Sequence, residues 1–272
     1  MTRLVNIRPR RSTGLFLGAV PLAILLILYL LASAARHAEN PADKLLPTFA
    51  AMGAAFARLA FEADPMTGNF ILLTDTLASL QRLGLGLAIA TGIALLLGLV
   101  LGTLPFIRST FGATIATIAV IPPIAVLPVL FIIFGLGETA KVALIVIGIT
   151  PCMVRDLSAH VGSLPTEQMI KAQTLGASSW QLILRVALPQ ALPRLIDIVR
   201  LQLGPAWVFL ISAEAIASDV GLGYRIFLVR RYLSMDIILP YVAWISLLAI
   251  VMDAALMWMS RRGFPWAHET GR

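Results

Sequence analysis

Charge is what this sequence has least of. Only 13% of its 272 residues are Asp, Glu, Lys or Arg, against the ~25% usual for a soluble globular domain. It has a single cysteine, Cys152, so an intrachain disulfide framework and a cysteine-based metal cluster are both excluded. Three scattered histidines, His37, His160 and His268, argue against a catalytic metal centre. No G-x4-G-K-[ST] phosphate loop occurs, so the chain is not a P-loop nucleotide hydrolase. No serine or cysteine nucleophile sits in a recognisable constellation either.

What fills the space is hydrocarbon. Apolar residues make up 59% of the chain and its mean hydropathy is +0.90. They fall in long blocks, which places the chain in the membrane class. Three charge-free runs, 12–35, 83–107 and 109–137, are long enough to cross a bilayer, which takes ~20 residues. Three weaker segments, near 140–161, 195–217 and 238–260, contain or abut Arg155, Asp156, Asp197, Arg200, Glu214 and Asp253. Charges at that depth are costly in lipid, so these helices are expected to face protein or water. The expected fold class is an all-α polytopic membrane protein with about six transmembrane helices.

The net charge of +7 fits cytoplasmic loops better than nucleic acid. With the N-terminus in the cytoplasm, six spans place twelve of the 21 basic residues inside and seven outside. That orientation has one dissenting stretch, "YRIFLVRRY", on the outer side. Ala32-Ser33-Ala34 resembles a signal-peptide cleavage site. The apolar run before it is longer than the ~7–15 residues of a cleavable core, so a retained helix is expected. The organisation read from these features is a cytoplasmic tail (1–13), a first transmembrane helix (14–35), an external loop with an amphipathic helix (36–75), a core (76–262) and a cytoplasmic tail (263–272). In the loop, Leu46, Phe49, Met52, Phe56 and Leu59 recur at helical spacing.

Within the spans, Gly84, Ala88 and Gly92, then Gly98 and Gly102, form four-residue stripes that permit close helix packing. Pro122, Pro123 and Pro128 fall within seven residues of one span. Each removes a backbone donor, and a broken helix at membrane depth is tolerated only against protein or a water-filled cavity. A structural kink and a pathway-lining role both fit. Glu214 and Asp219 lie near the outer end of the fifth span. Gly221 and Gly223 follow, able to turn Arg225, Arg230 or Arg231 back onto Glu214. A gate ion pair, substrate contact and a solvated charge are all open for it.

The segment "PTEQMIKAQTLGASSWQLILRVALP" (165–189) is the polar exception. Pro165 suits a first helical turn, Gly176 a left-handed stop, and Ser178 with Gln181 a capping box. Pro189 is expected to limit the second helix. The reading is a helix–glycine–helix unit on the cytoplasmic side between the fourth and fifth spans.

This stretch resembles the EAA loop of inner-membrane permease subunits of ABC importers. That pattern is Glu-Ala-Ala, a glycine four residues on, then Ile-x-Leu-Pro. Ala172, Gly176, Leu188 and Pro189 match, with Val186 at the isoleucine position. Ile170 and Lys171 depart from it. "ASLQRLGLGLAIATGIALLLGLVLG", "IPPIAVLPVLFIIFGLGETAKV" and "AWVFLISAEAIASDVGLGYRIF" are similar to the nitrate/sulfonate/taurine-type branch, in the right order over roughly 70–262. The resemblance implies a type I ABC importer permease fold with a coupling helix in the loop 163–189. It assigns ATPase coupling to Ala172, Gly176, Ala177, Ser178, Leu188 and Pro189. It implies two ATPase subunits that bind ATP and Mg, no cofactor or metal in this chain, a second and identical permease copy, an external substrate-binding protein, and a bacterial inner membrane. Pathway or gate candidates are Pro122, Pro123, Pro128, Glu214 and Asp219. The rival class is an ATP-independent secondary transporter or channel using intramembrane carboxylates such as Glu214, Asp219 and Asp253.

Overall fold

The computed structural model describes residues 11–40, 43–65 and 68–268. The proposed tails at 1–10 and 269–272 lie outside these residues. Eleven helices account for nearly all of the described chain. Helix α1 (Arg11–Glu39) runs through Ala32–Ala34 without a break. Helix α2 (Phe49–Phe61) is capped by the Thr48 side chain, which accepts from the Ala51 amide. It buries Ala55 and Leu59 and stacks Phe56 on Trp244 at 5.8 Å. The amphipathic helix of the outer loop therefore lies on other helices.

The core is α3 (Ile71–Thr103), α6 (Glu138–Gly162), α9 (Leu188–Ala217) and α11 (Met235–Gly263). Helix α3 starts inside the stretch expected as loop. Its 33 residues measure ~50 Å at 1.5 Å per residue, and the hydrocarbon layer is ~30 Å thick. The polar first turns of α3, 71–82, therefore stand above the layer.

Helices α3 and α6 pack closely because glycine lets them. A Cβ on Gly86 would sit 2.7 Å from Ile145, one on Gly98 2.8 Å from Leu157, and one on Gly102 2.5 Å from Val161. All three pairs have the same sequence offset, so the two helices are parallel and in register. The packed stripe is Gly86, Ala90, Ala94, Gly98 and Gly102, all at the α3 core face except the half-buried Gly102. The expected stripe is corrected in its first half, since Gly84, Ala88 and Gly92 lie on the open face. Small residues on both faces made the choice ambiguous from sequence alone.

Parallel neighbours need a crossing between them. Helices α4 (Pro105–Ile118) and α5 (Pro123–Phe134) supply it. They meet at 93°, so the run 109–137 is a broken span and not one straight helix. With α1, α3, α6, the continuous segment Ser179–Ala217 and α11, the described residues hold five spanning helices plus this bent pair. The six expected spans are present. Most of α1 is open on all sides and apolar, as a lipid-facing helix is. It is tied to the bundle through the chain that follows it: Tyr29 donates to the Pro47 carbonyl at 2.6 Å and Ser33 to that of Leu46 at 2.9 Å.

Candidate functional site

Three features carry chemistry, one at each end of the bundle and one between them. The first is the helix–glycine–helix unit. Helix α7 (Thr166–Thr174) ends at Leu175, and Gly176 follows with φ +84°. The Ala177 amide donates to the Ala172 carbonyl at 3.0 Å and the Gly176 amide to that of Gln173 at 2.9 Å. This is the paired closure of a Schellman turn, with Ala172 as its anchor. Ser178 then caps α8 (Ser179–Leu182) with both bonds of a capping box. Leu175, 86% exposed, and Trp180, 67% exposed, project from the turn.

Pro189 does not limit the second helix, contrary to expectation. A π-helical turn at Ile183–Ala187 joins α8 to α9, with the Leu188 amide donating to Ile183 five residues back. Proline at 189 has no N–H, so the Arg185 carbonyl loses its usual donor. Widening the ladder by one residue absorbs the defect. Leu188 and Pro189 thus open α9.

Beside Cys152, midway along α6, the chain breaks between α4 and α5. Pro122 and Pro123 deprive the carbonyls of Ile118 and Ala119 of their helical donors. The Ile121 amide takes the first at 3.1 Å, and the Cys152 thiol reaches the second at 3.8 Å. Pro122 caps α5, Pro123 opens it and Pro128 lies inside it. Val120, at the break, is exposed. One turn-rich break therefore uses two of the three prolines, and Pro123 packs where α6 narrows at Gly148.

At the end of the bundle opposite the helix–glycine–helix unit lies a buried polar network. Glu214 of α9 is fully buried. It accepts from Arg82 Nη1 at 2.7 Å, from Ser79 at 2.8 Å and from the Gly223 amide at 2.9 Å. Arg82, with 5% of its side chain exposed, also binds Glu138 and donates to the Val220 carbonyl at 2.8 Å. Glu138, 62% exposed, bridges on to Lys141 at 2.8 Å. Asp75 accepts from the Gly221 amide at 3.0 Å, Arg225 at 2.9 Å and Tyr241 at 3.1 Å. Ser79 accepts the Leu222 amide at 2.9 Å.

Three successive amides, 221 to 223, thus point into side chains from other helices. They are the free N-terminal donors of α10 (Leu222–Arg230), capped from outside by Asp75, Ser79 and Glu214. Both glycines are needed. Gly221 has φ +135°, and a Cβ there would meet the Glu214 carboxylate at 2.6 Å. A Cβ on Gly223 would meet the Ile211 carbonyl oxygen at 2.7 Å. Asp75, Glu138 and Glu214 balance Arg82, Lys141 and Arg225, so the network is formally neutral.

The expected partner of Glu214 is corrected by this geometry. Arg82 of α3 binds it, Arg225 goes to Asp75, and Arg230 lies over the Phe227 ring at 4.7 Å. Asp219 is exposed and makes no ion pair among the described residues. Asp75, Ser79, Arg82, Glu138 and Lys141 were missed from sequence. The usable signal was Asp75, Ser79 and Arg82 at i, i+4 and i+7 on one face of a polar helix start. Within the spans, Arg200 holds Asp253 through two bonds of 2.8 and 3.0 Å, with Asp197 at 3.5 Å. Both carboxylates are ion-paired with Arg200.

The described residues thus form a bundle of membrane-length helices with a helix–glycine–helix unit at one end and a buried polar network at the other. Residues 90–263 match the family described as binding-protein-dependent transport system inner membrane component. The taurine transport system permease protein TauC of Escherichia coli K12 is 35% identical, over 71% of this chain and 70% of that protein. The nitrate import permease protein NrtB of Synechococcus elongatus is 26% identical, over 68% and 67%. The inward-facing MetNI methionine ABC transporter shares the fold, with a TM-score of 0.59 over 73% of this chain and 96% of that one, at 20% identity. The chain belongs to the binding-protein-dependent transport system inner membrane component family, in its nitrate/sulfonate/taurine-type branch. It is a multi-pass inner-membrane permease subunit of an ABC importer.

Proposed function

We propose that two copies of this chain form the translocation pathway of an ATP-driven importer for a small oxyanion, nitrate or a sulfonate such as taurine. The N-terminus is cytoplasmic. Two ATPase subunits, which bind ATP and Mg and do the hydrolysis, dock on the 166–186 units below. A solute-binding protein docks on the outer face. The relatives' substrates support the solute class: taurine carries a sulfonate, and nitrate is a three-oxygen anion. The break at 119–122 borders the pathway on this reading, because Val120 stands exposed at it and a helix break at membrane depth is tolerated only against protein or water.

One observation carries the coupling role. The Schellman-closed turn at Gly176 presents Leu175 and Trp180 to water as a rigid apolar knob. Exposed large apolar side chains on a fixed turn are what a partner's cleft takes up. ATP-driven closure of the ATPases then moves this knob, and alternating access follows. The experiment is Gly176→Val. A β-branched residue resists φ +84°, so the variant reaches the membrane but fails to co-purify the ATPase. Retained ATPase binding with normal uptake refutes the docking role.

A further inference from the structure

The cleft between α4 and α6 has no role in the function described so far. It is a cavity of about 560 Å³ lined by Arg108, Ser109, Gly112 and Ala113 of α4 and by Arg155, Ser158 and Ala159 of α6, among others. Small-molecule sites are typically ~300–1,000 Å³. Two arginines are among its lining residues and no acidic residue is. Arg108 makes no ion pair among the described residues. Arg155 has one acid near it, Asp156, at 3.4 Å, which lies outside the lining. The Ser109 and Ser158 hydroxyls donate to their own helices, to Phe106 and Arg155 carbonyls at 2.8 and 2.9 Å. Arg108 is therefore the lining cation without an acid among the described residues, and Arg155 is held only by two long bonds of 3.4 Å to its sequence neighbour Asp156.

The parallel register of α3 and α6 fixes the depth of these groups. Arg108 lies at the inner end, its Nη1 only 2.5 Å from where a Gly162 Cβ would stand. Arg155 comes seven residues before Gly162 on α6, ~10 Å deeper at helical rise. It is also one turn from Cys152, whose thiol holds the Ala119 carbonyl at the break. The cleft thus runs from the cytoplasmic surface up toward the mid-membrane break, with a cation at its mouth and another part-way in. Arg155 is half exposed there and its pair with Asp156 is long, at 3.4 Å; a cation at that depth is costly against lipid, so it faces water or an anion.

We infer that this cleft binds a small oxyanion through Arg108 and Arg155. The inference rests on the oxyanion-import reading and adds an exit station to it. The planar fork of a guanidinium matches two oxygens of a nitrate, sulfonate or phosphate group. Gly112, Ala113 and Ala159 leave room for the rest of the solute. The same chemistry suits a transported anion leaving the pathway or the headgroup of an anionic phospholipid in the inner leaflet.

The test uses the full chain in inside-out phosphatidylcholine vesicles, with Ala159→Cys in a Cys152→Ser background. Two methanethiosulfonate reagents of like size are compared, one carrying an ethylsulfonate and one an ethyltrimethylammonium. The sulfonate reagent is itself a probe oxyanion. Its rate relative to the cationic reagent, normalised to mercaptoethanol in solution, is expected to be about tenfold higher or more. Arg108→Gln with Arg155→Gln brings the ratio near one, while Arg155→Lys keeps most of it and shows that the fold survives. Slowing by millimolar nitrate or taurine identifies the transported solute as the occupant. Slowing only when phosphatidylglycerol is included identifies a lipid headgroup. Either supports the site. A ratio near one in the unaltered arginine background, or one that both arginine variants leave unchanged, overturns it. Uptake of nitrate and taurine by the complete transporter is measured separately. Its absence refutes the transport reading while the labelling ratio still decides the cleft.

Discussion

Replacing Arg82 by glutamine exposes how the outer clamp works. Arg82 is the one cation on Glu214, and both are nearly or fully buried. Removing one member of a buried ion pair typically costs 3–5 kcal/mol, because the other charge is left without its counter-ion. Here the loss falls at the lower end, about 3 kcal/mol, since Ser79 and the Gly223 amide still donate to Glu214. Glu138 adds little, being mostly solvated and still paired with Lys141. Glu214→Gln costs a similar amount for a different reason. Its amide NH₂ must face either Arg82 or the Gly223 N–H, donor against donor. The double variant Arg82→Gln/Glu214→Gln removes both charges and lets two amides pair. It is expected to cost about as much as either single change, giving a coupling energy of about 3 kcal/mol. Thermal unfolding of the purified protein in detergent reads this as a fall of roughly 6–12 °C for each variant, single or double. If the double variant loses the sum of the two singles, Arg82 and Glu214 act independently and the clamp is not a unit.

Other outcomes follow from the same contacts. Gly102→Val brings a branched side chain to within 2.5 Å of Val161 and forces the parallel pair apart, costing roughly 1–3 kcal/mol; unchanged thermal stability would show that the register is wrong. Gly223→Ala meets the Ile211 backbone oxygen, which cannot rotate away, and is expected to lower membrane expression, measured by quantitative blotting against the neutral surface change Asp219→Asn. Single cysteines at Ile124, Ala125 and Val126 in a Cys152→Ser background include one that reacts with water-soluble thiol reagents in a nucleotide-dependent way; uniform protection would make the α4–α5 break structural only. In the assembled transporter, Glu214→Gln also raises ATP hydrolysis without binding protein; unchanged hydrolysis and transport would confine the clamp to stability.

The legible parts of this molecule are the local ones. Gly176, Ser178 and Gln181 act within a few residues of each other, so a turn and a capping box can be read straight from spacing, and both are present. The outer network is not local. Arg82 meets Glu214 across 132 residues and Asp75 meets Arg225 across 150. Any of three arginines near Glu214 fitted as well from sequence, and the one used lies on another helix. Hydropathy alone joined 109–137 into one span. The two adjacent prolines at 122 and 123 broke it, and its place midway along α6 follows only from the contact of Cys152 with Ala119. Pro189 failed in the opposite sense. A proline that usually ends a helix is accommodated by a π turn, because α9 gains far more from packing its buried face than one lost hydrogen bond costs.

That accommodation matters for the proposed mechanism. From Ser179 to Ala217 the chain is helical for 39 residues, ~58 Å at helical rise. One end carries the docking turn and the other carries Glu214 in the clamp. Had Pro189 ended the helix, a flexible joint would separate the two. With the π turn in place, displacement of the knob at Gly176 is passed along a single helical element to the residue that holds the Gly-Leu-Gly loop. The weakest point along that element is the π turn itself, where the ladder is already irregular. Bending is therefore expected to concentrate at Ile183–Ala187, on the side of the proposed ATPase dock, which leaves the membrane part of α9 to rotate as one piece against α3 and α6. The close-packed glycine contacts between α3 and α6 make that pair the stationary member. On the proposed mechanism, opening of that end requires the three donors on Glu214 to release together, which gives the transition a threshold and makes it switch-like.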